Sequence, residues 1–463
     1  MSKKTVVKRI LLFSILLLLI DVVLAYLKIR SGERCSSNHV ISIVVLLSLV
    51  ISLYVYLKTS TNKHIWVILV GIFFAFSNYN ILFNLEDFIG YYSGWDFGDL
   101  SFGYIDMYVN TGFDKSNYPP FAVLIYRLAN MFVSAGRTKP EWAHTYFVSC
   151  FLLISCMIMG FSIIRILRNI GIYESLKEIY LMALFLTGPF LYAFERANVI
   201  LLSFAFILLF IAMKDSDSRA ERWISYIALT LAAEIKLYPA VFGILLIKRG
   251  RIKDCLMVFA LGVVSFLAPF LWQADGNIVQ SLYLVKGFFE SLSDWTKEAV
   301  GLFDVSQSIQ GLLAKVPAFN DHAMWIYSAI VLFIILTIVG ICLTDDEECM
   351  SLLLFGLCWY IPKISLWYNM VFILIPFILF VGKINKQERI TDYIKMIMYI
   401  LLLVFMWRMY KLDFLIPYNS AWRFAILWVW NYIEILNVKF NIFEKIRKET
   451  ICLRERVKQK LAK

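Results

Sequence analysis

An all-α membrane protein that crosses the bilayer many times is the fold class this sequence predicts. Three observations predict it: long apolar blocks with few charges, no alternating strand pattern, and basic residues gathered in alternate gaps between the blocks. Of 463 residues, 60% are hydrophobic and 17% charged, at a mean hydropathy of +0.73, against about 45–50% and about 25% in an ordinary globular domain. The excess is concentrated in stretches such as Ile10–Leu24, Ile65–Phe76, Leu201–Met213 and Met324–Ile341. Each is, or with its flanks approaches, the roughly 20 apolar residues that cross a hydrocarbon core of about 30 Å. Inside lipid the backbone must satisfy its own hydrogen bonds, so the blocks are expected as helices.

Element by element, spans are predicted near 10–27, 41–57, 65–84, 144–164, 179–194, 197–213, 222–236, 238–248, 255–272, 323–343, 350–364, 366–382, 393–410 and 420–437. That amounts to about 12–14 transmembrane helices in a single integral domain over 1–463. The first block follows Lys3, Lys4, Lys8 and Arg9 as a signal peptide would. No small-residue cleavage motif follows it and further spans come after, so it is expected as a retained helix. Residues 1–60 read as an extra N-terminal hairpin. The eight scattered cysteines and four histidines make no metal or disulfide framework and are expected in helix packing.

A net charge of +11 is better explained by the positive-inside rule than by nucleic acid. With the N-terminus in the cytoplasm, alternation puts Lys58–His64, Arg165–Lys177, Lys214–Arg222, Lys248–Lys253, Lys383–Arg389 and the basic tail 438–463 on the cytoplasmic side. The other side holds two long loops rich in acidic residues, 85–143 and 273–322; Lys28–Arg34 is basic yet falls outside. Several spans are too short to cross alone. The pair 222–236 and 238–248 meets at Lys236-Leu-Tyr-Pro239, and 350–364 meets 366–382 at Pro362-Lys363-Ile-Ser365. Non-helical backbone and charge at membrane depth are tolerated where they line a cavity or are buried in protein. The junctions therefore predict a polar cavity opening to the outer face; the plainer alternative is short hairpins ending at the interface.

Chemistry-bearing residues collect on that outer side. The first loop reads Glu86-Asp87, then Gly94-Trp95-Asp96-Phe97-Gly98-Asp99-Leu100, then Asp106, Asp114 and Tyr118-Pro119-Pro120-Phe121. Carboxylates beside aromatics and glycines at a membrane surface suit a general base acting on a sugar hydroxyl, although loop acids are usually just solvated. The Asp96-x-x-Asp99 pair could instead hold a divalent cation; otherwise no cofactor is called for, and no nucleotide-binding fingerprint is present. Tyr118-Pro119-Pro120 makes a rigid, extended lead into a short interfacial helix over 119–134, with Arg127 snorkelling. Next comes Thr187-Gly188-Pro189 and Glu195-Arg196-Ala197-Asn198. Arg196 offers a forked donor for phosphate and Asn198 an amide; the alternative is a Glu195–Arg196 cap at the interface. Lys236, an ionisable group in an apolar span, is functional by default, unless it snorkels. Trp95, Trp295, Trp325 and Tyr283 could stack on sugars or sit in an interfacial belt. The second loop could cover the site with Asp294, Trp295, Gln307 and His322, the last more in keeping with a surface residue.

Taken in order, these pieces resemble the GT-C superfamily of polytopic glycosyltransferases, most closely glycosyltransferase family 87, which includes polyprenol-phosphate-mannose-dependent mannosyltransferases. Glu195-Arg196-Ala197-Asn198 is similar to the family's Arg-Gly-Asn element, with Ala197 in place of Gly. Ala232-Ala233-Glu234-Ile235-Lys236-Leu237-Tyr238-Pro239 resembles its alanine-rich helix ending in Lys-x-Tyr-Pro. Ser306-Gln307-Ser308-Ile309-Gln310-Gly311-Leu312 resembles Asn-Gln-Ser-Leu-x-Gly. Lys363-Ile-Ser365-Leu-Trp367-Tyr368 resembles Ser-Pro-x-Ser-Trp-x-His, with Tyr-Asn for the later residues.

The resemblance implies a GT-C-like helical bundle with two long extracytoplasmic loops, in the plasma membrane, with both termini cytoplasmic. It implies inverting transfer of mannose or another hexose from a polyprenyl-phosphate donor to a lipid-linked or cell-envelope glycan acceptor. Asp99 or Asp96 is then the catalytic base. Arg196, Lys236, Asn198 and Tyr238 hold the donor phosphate; Trp95, Tyr118, Gln307, Trp367 and Tyr368 contact acceptor or sugar. The rival readings are a transporter or flippase of lipid-linked saccharides, or a polysaccharide polymerase. No paired repeat about a midplane site supports the transporter, and a structural scaffold leaves Lys236 and Lys363 without purpose.

Overall fold

The computed structural model describes residues 112–116, 118–131, 146–172, 184, 187–195, 197–298, 306–313, 323–386, 390–404 and 419–440, together with 12, 15–16, 19–20 and 23. These residues form a helical bundle with no strand among them. The expected spans at 41–57 and 65–84 lie outside the described residues, as does most of 10–27.

A single 310 turn, Phe113–Lys115, leads into α1 (Pro120–Met131). α2 (Tyr146–Asn169), α3 (Gly188–Glu195) and α4 (Ile200–Met213) follow, then α5 (Arg219–Ile235). A 310 stretch, Tyr238–Gly243, runs directly into α6 (Ile244–Lys248). Next are α7 (Ile252–Gln273), α8 (Ile278–Glu298), the one-turn α9 (Ile309–Leu313), α10 (Ala323–Leu343) and α11 (Glu347–Tyr360). A second 310 stretch, Trp367–Ile373, runs into α12 (Leu374–Lys386), and α13 (Ile390–Val404) and α14 (Asn419–Phe440) complete the set. The elements at 200–273 and 323–386 thus follow the predicted spans to within a few residues. The second predicted loop differs: residues 278–298 are a 21-residue helix, α8, packed on α7 and on the 113–115 turn through Phe266, Phe270, Phe288 and Phe113.

By length and composition, Cys150–Asn169, Ile252–Gln273 and Met324–Leu343 are long and apolar enough to cross a membrane, and the chain is an all-α membrane protein. α4 is buried over most of its surface, with only Leu202, Phe206 and Leu209 on one face partly exposed, in keeping with a helix apolar all round. The outer helices instead expose apolar stripes: Leu153, Ile154, Met157 and Phe161 on α2, Phe259, Val263 and Val264 on α7, Val331, Leu332 and Ile335 on α10. On a soluble protein such continuous patches would drive association; here they suit contact with acyl chains.

Charges define one end of the bundle. The C-termini of α2 and α4 meet the start of α5 there: Arg165 pairs with Glu221 and donates to the Ala212 carbonyl. Buried Lys214 pairs with Asp215 and lies 2.8 Å from Glu347. Arg251 reaches Asp215 at 2.7 Å, and Lys248 reaches Asp345 at 3.1 Å. The same end carries a fully buried ammonium: Lys395 Nζ lies 2.8 Å from each of Glu348, Glu434 and Asn431, stitching α11, α13 and α14 together.

Helix lengths place the opposite end. Starting from the charged end, α5 rises about 25 Å over 17 residues and α11 about 21 Å over 14. α2 and α7, with 24 and 22 residues, rise about 36 and 33 Å. α5 and α11 are therefore roughly 10 Å shorter than α2 and α7, and their ends make up a floor on this side of the bundle.

Candidate functional site

That floor is built from two helix breaks. α5 stops because Lys236 adopts an extended conformation (φ −143°, ψ 124°), its N–H still bonded to the Ala232 carbonyl at 3.1 Å. Two residues on, the chain restarts as a 310 stretch at Tyr238 with Pro239 in its first turn, where a missing N–H costs nothing. α11 ends at Tyr360 ahead of Pro362, the chain runs non-helically to Leu366 (φ −99°, ψ 160°), and Trp367 begins the second 310 stretch. The breaks pack on each other. The Tyr238 hydroxyl donates to Asn369 Oδ1 at 2.6 Å, the Cys358 thiol donates to the Tyr238 carbonyl at 3.5 Å, and Tyr238 meets Phe372 edge-on.

Lys236 is the cation of the floor. Its Nζ lies 4.0 Å from the centre of the Tyr118 ring and 5.6 Å from that of Tyr368. Aromatic faces attract an ammonium through their ring quadrupole, and the two rings fix where this one sits. Tyr118 is delivered by the last turn of the first loop. Ser116 Oγ accepts from the Tyr118 N–H at 2.9 Å and donates to the Tyr118 carbonyl at 3.0 Å; the ring packs edge-on against Tyr126 of α1. The turn before it is clamped to α7 by one glutamine. Gln273 Oε1 accepts from the Phe113 N–H at 2.9 Å, and Gln273 Nε2 donates to Asp114 Oδ1 at 3.0 Å. Asp114, one of the first-loop acids, thus ties the loop down. Arg127, expected to snorkel, lies over the Phe113 ring at 4.3 Å.

A serine knot forms the remaining wall. Ser306 Oγ accepts from the Ser365 N–H at 3.1 Å, the Gln307 N–H donates to the Ser365 carbonyl at 2.8 Å, and Ser308 Oγ donates to the Lys363 carbonyl at 2.9 Å. Residues 306–308 thereby lie against the 363–365 break like a short added strand, and two stretches some 60 residues apart in sequence become one wall. Gly311 is required here: a Cβ would fall 2.8 Å from Ser306 Cβ and 2.9 Å from its carbonyl oxygen.

The fold therefore brings Tyr118, Lys236, Tyr238, Gln307 and Tyr368 to one floor. Asn198 is buried beside α4, where its Oδ1 accepts the Ile200 N–H at 2.9 Å and starts that helix. Ala197 has φ +45°, the left-handed conformation glycine favours. Trp367 opens the second 310 stretch. Trp95, Asp96, Asp99, Arg196 and His322, and the side chain of Trp295, lie outside the described residues. Tyr283 and Trp325 are exposed on α8 and α10. Asn369, Ser306 and Ser308 stand within the motif stretches but were not expected as partners of the site, because nothing in those stretches says which residue each side chain meets. Sequence reasoning also missed the buried Lys395 cluster.

Among the described residues, one group has metal-ligand chemistry, Asp346, Glu348 and Cys349, with ligand atoms within 4.8 Å of one another. The ammonium groups of Lys383 and Lys395 lie 2.6 Å from Asp346 and 2.8 Å from Glu348, so lysines already supply the cations there. It is also at the charged end, away from the floor.

Residues 117–360 match the model of glycosyltransferase family 87. The matched segment is more than half of the chain and carries Tyr118, Lys236, Tyr238 and Gln307. No curated protein and no solved structure matches the chain.

Proposed function

The chain belongs to glycosyltransferase family 87, and on that premise we propose that it moves a hexose from a polyprenyl-phosphate donor to a glycan or glycolipid acceptor on the extracytoplasmic face. The observation that carries this reading is Lys236, an ammonium lying over the rings of Tyr118 and Tyr368 where two short helices end. A cation at that point stabilises charge as it develops on a departing lipid phosphate.

In the mechanism we favour, a first-loop carboxylate, Asp99 or Asp96, takes the proton of an acceptor hydroxyl. The hydroxyl oxygen attacks the anomeric carbon from the face opposite the phosphate, the carbon–oxygen bond to phosphate breaks, and the configuration inverts. Lys236, with Arg196, receives the polyprenyl phosphate. Tyr118 and Tyr368 line the sugar's approach, and Gln307 stands on the wall beside them. The clamp of Gln273 on Phe113 and Asp114 holds the turn that leads to Tyr118. The gathering of Arg165, Lys214, Arg249, Arg251 and Lys383 at the opposite end supports a cytoplasmic assignment for that end, with a multi-pass chain in the plasma membrane.

The test is release of polyprenyl phosphate by detergent-purified protein from a panel of polyprenyl-phosphate sugars. One donor is expected to turn over. Asp99→Asn or Asp96→Asn is expected to lower kcat by at least about 100-fold, the scale of a general base, and Lys236→Ala to lower it by a similar factor, that of a charge-stabilising group. Folded protein that turns over no donor, yet carries lipid-linked saccharides across liposomes, would replace this reading with a transporter.

A further inference from the structure

A phenol has one proton to give, and at Tyr238 it is committed. The hydroxyl donates to Asn369 Oδ1 at 2.6 Å. The other end of that amide, Nδ2, donates to Ser365 Oγ at 3.3 Å, so both ends of the amide are engaged. Ser365 is in turn held at both backbone groups by the knot, through its N–H to Ser306 Oγ and its carbonyl to the Gln307 N–H. The Asn369 N–H bonds back to the Leu366 carbonyl at 2.9 Å, and the side chain is almost fully buried. The Tyr238 oxygen is therefore left with lone pairs only: toward a ligand it can accept, not donate.

That polarity discriminates between ligand groups. The oxygens of a phosphodiester are acceptors and offer a lone pair nothing; a sugar hydroxyl donates. We propose that Tyr238, oriented by Asn369, accepts a hydroxyl of the donor sugar and so selects which sugar is transferred, while the phosphate is left to Lys236. Asn369 is the positioning residue in this pair: it touches no ligand and acts through the phenol. The inference rests on the glycosyl-donor reading above, and it reassigns Tyr238 from the phosphate to the sugar.

The experiment uses the full chain in detergent with two probes, the polyprenyl-phosphate hexose it turns over and polyprenyl phosphate alone, read as KM and as inhibition constant. Single-position deoxy forms of the hexose donor complete the set. Tyr238→Phe is expected to raise KM for the hexose donor by up to about tenfold, the scale of one hydrogen bond. Its inhibition constant for polyprenyl phosphate should not move, and the penalty should vanish for one deoxy donor. Asn369→Leu should reproduce the Tyr238→Phe pattern, and Asn369→Asp, which still accepts the phenol proton, should recover most of that loss. Size-exclusion profile and melting temperature accompany each variant.

An equal loss of affinity for polyprenyl phosphate in Tyr238→Phe overturns the assignment, because the phenol would then serve the phosphate. A penalty that persists with every deoxy donor overturns it too. Wild-type turnover with an unaffected Tyr238→Phe sinks this inference alone, whereas failure of wild type to bind or turn over any polyprenyl-phosphate hexose sinks the glycosyl-donor reading along with it.

Discussion

At the scale of single residues, what matters is backbone conformation and the company a charge keeps. Ala197 sits at φ +45° with no exposed surface, a conformation that costs an L-residue about 1–2 kcal/mol. Ala197→Gly relieves that strain but gives up a buried methyl and some chain entropy, so its net effect is expected to stay within about 1 kcal/mol. Ala197→Val adds a branched Cβ where positive φ is a severe outlier and is expected to cost about 2–3 kcal/mol. Melting of the two variants beside wild type in one detergent checks the order; a valine variant as stable as the glycine one would refute it. The site around Lys236 was half legible. An ionisable residue in an apolar span is visible in any sequence. That its ammonium would rest on Tyr118, 118 residues earlier, is a matter of where a loop turn is clamped, and nothing local specifies it.

Elements are joined by contacts that ordinary helix packing does not supply. The serine knot holds 306–308 against the break after α11, and Gly311 lets α9 start in contact with Ser306. Gly311→Ala places a methyl within 3 Å of Ser306 Cβ and its carbonyl oxygen, and should destabilise by about 1–3 kcal/mol. Since the same loop carries Gln307, donor KM should rise with it; a rise in neither quantity would show that the knot is dispensable. At the charged end, Lys395 and Glu348 are each at most 2% exposed. Lys395→Met leaves Glu348 with Lys383 at 3.6 Å and the Tyr399 hydroxyl at 3.0 Å, and Glu434 with the Trp430 N–H at 3.2 Å, and should lower stability by up to about 3 kcal/mol, the low end of the cost of breaking a buried pair. Adding Glu348→Gln and Glu434→Gln should return most of it, because neutral amides tolerate burial where carboxylates do not. Melting of the single and triple variants decides between an ionic stitch and mere packing of α13 and α14.

Across the whole molecule, the two ends differ in what holds them and hence in how they respond to pH. Burial pushes the Asp215 carboxyl up, but the Lys214 ammonium, by its charge and hydrogen bond, and the Arg249 and Arg251 guanidiniums outweigh it and hold the group below its usual range. Asp346 follows the same balance: burial raises it, and Lys383, the Cys349 N–H and Lys395 bring it down further. A carboxyl whose folded pKa lies below its unfolded value, about 3.9 for aspartate, binds its proton more readily when unfolded. The stabilisation is complete above about pH 4 to 5 and is lost as pH falls through the lower, folded pKa. Apparent melting temperature should be level from about pH 7 to 5 and fall below about pH 4. Asp215→Asn should remove only a small share of the fall, because Asp215 is 43% exposed and its ion pairs are screened. A curve that falls instead between pH 5 and 7 would mean that some other group dominates.

From the sequence alone one can read that this chain is a helical membrane protein, where its spans at 200–273 and 323–386 run, and where two of them break. These are consequences of local composition: apolar length answers to bilayer thickness, and a Lys or Pro within an apolar run is conspicuous against it. Family membership was legible for a related reason, since the breaks are where the matching motifs stand. The tertiary structure decided what those breaks meet. It set the two short spans side by side, so that Tyr238 found Asn369, Ser306 found Ser365 and Lys236 found Tyr118. It also folded a stretch expected as open loop into α8, whose phenylalanines bury against α7. Hydrogen bonds and ring contacts between residues 59 to 131 positions apart leave no period in the sequence. They come from the depth at which each short helix stops, and that depth is fixed by packing against longer neighbours.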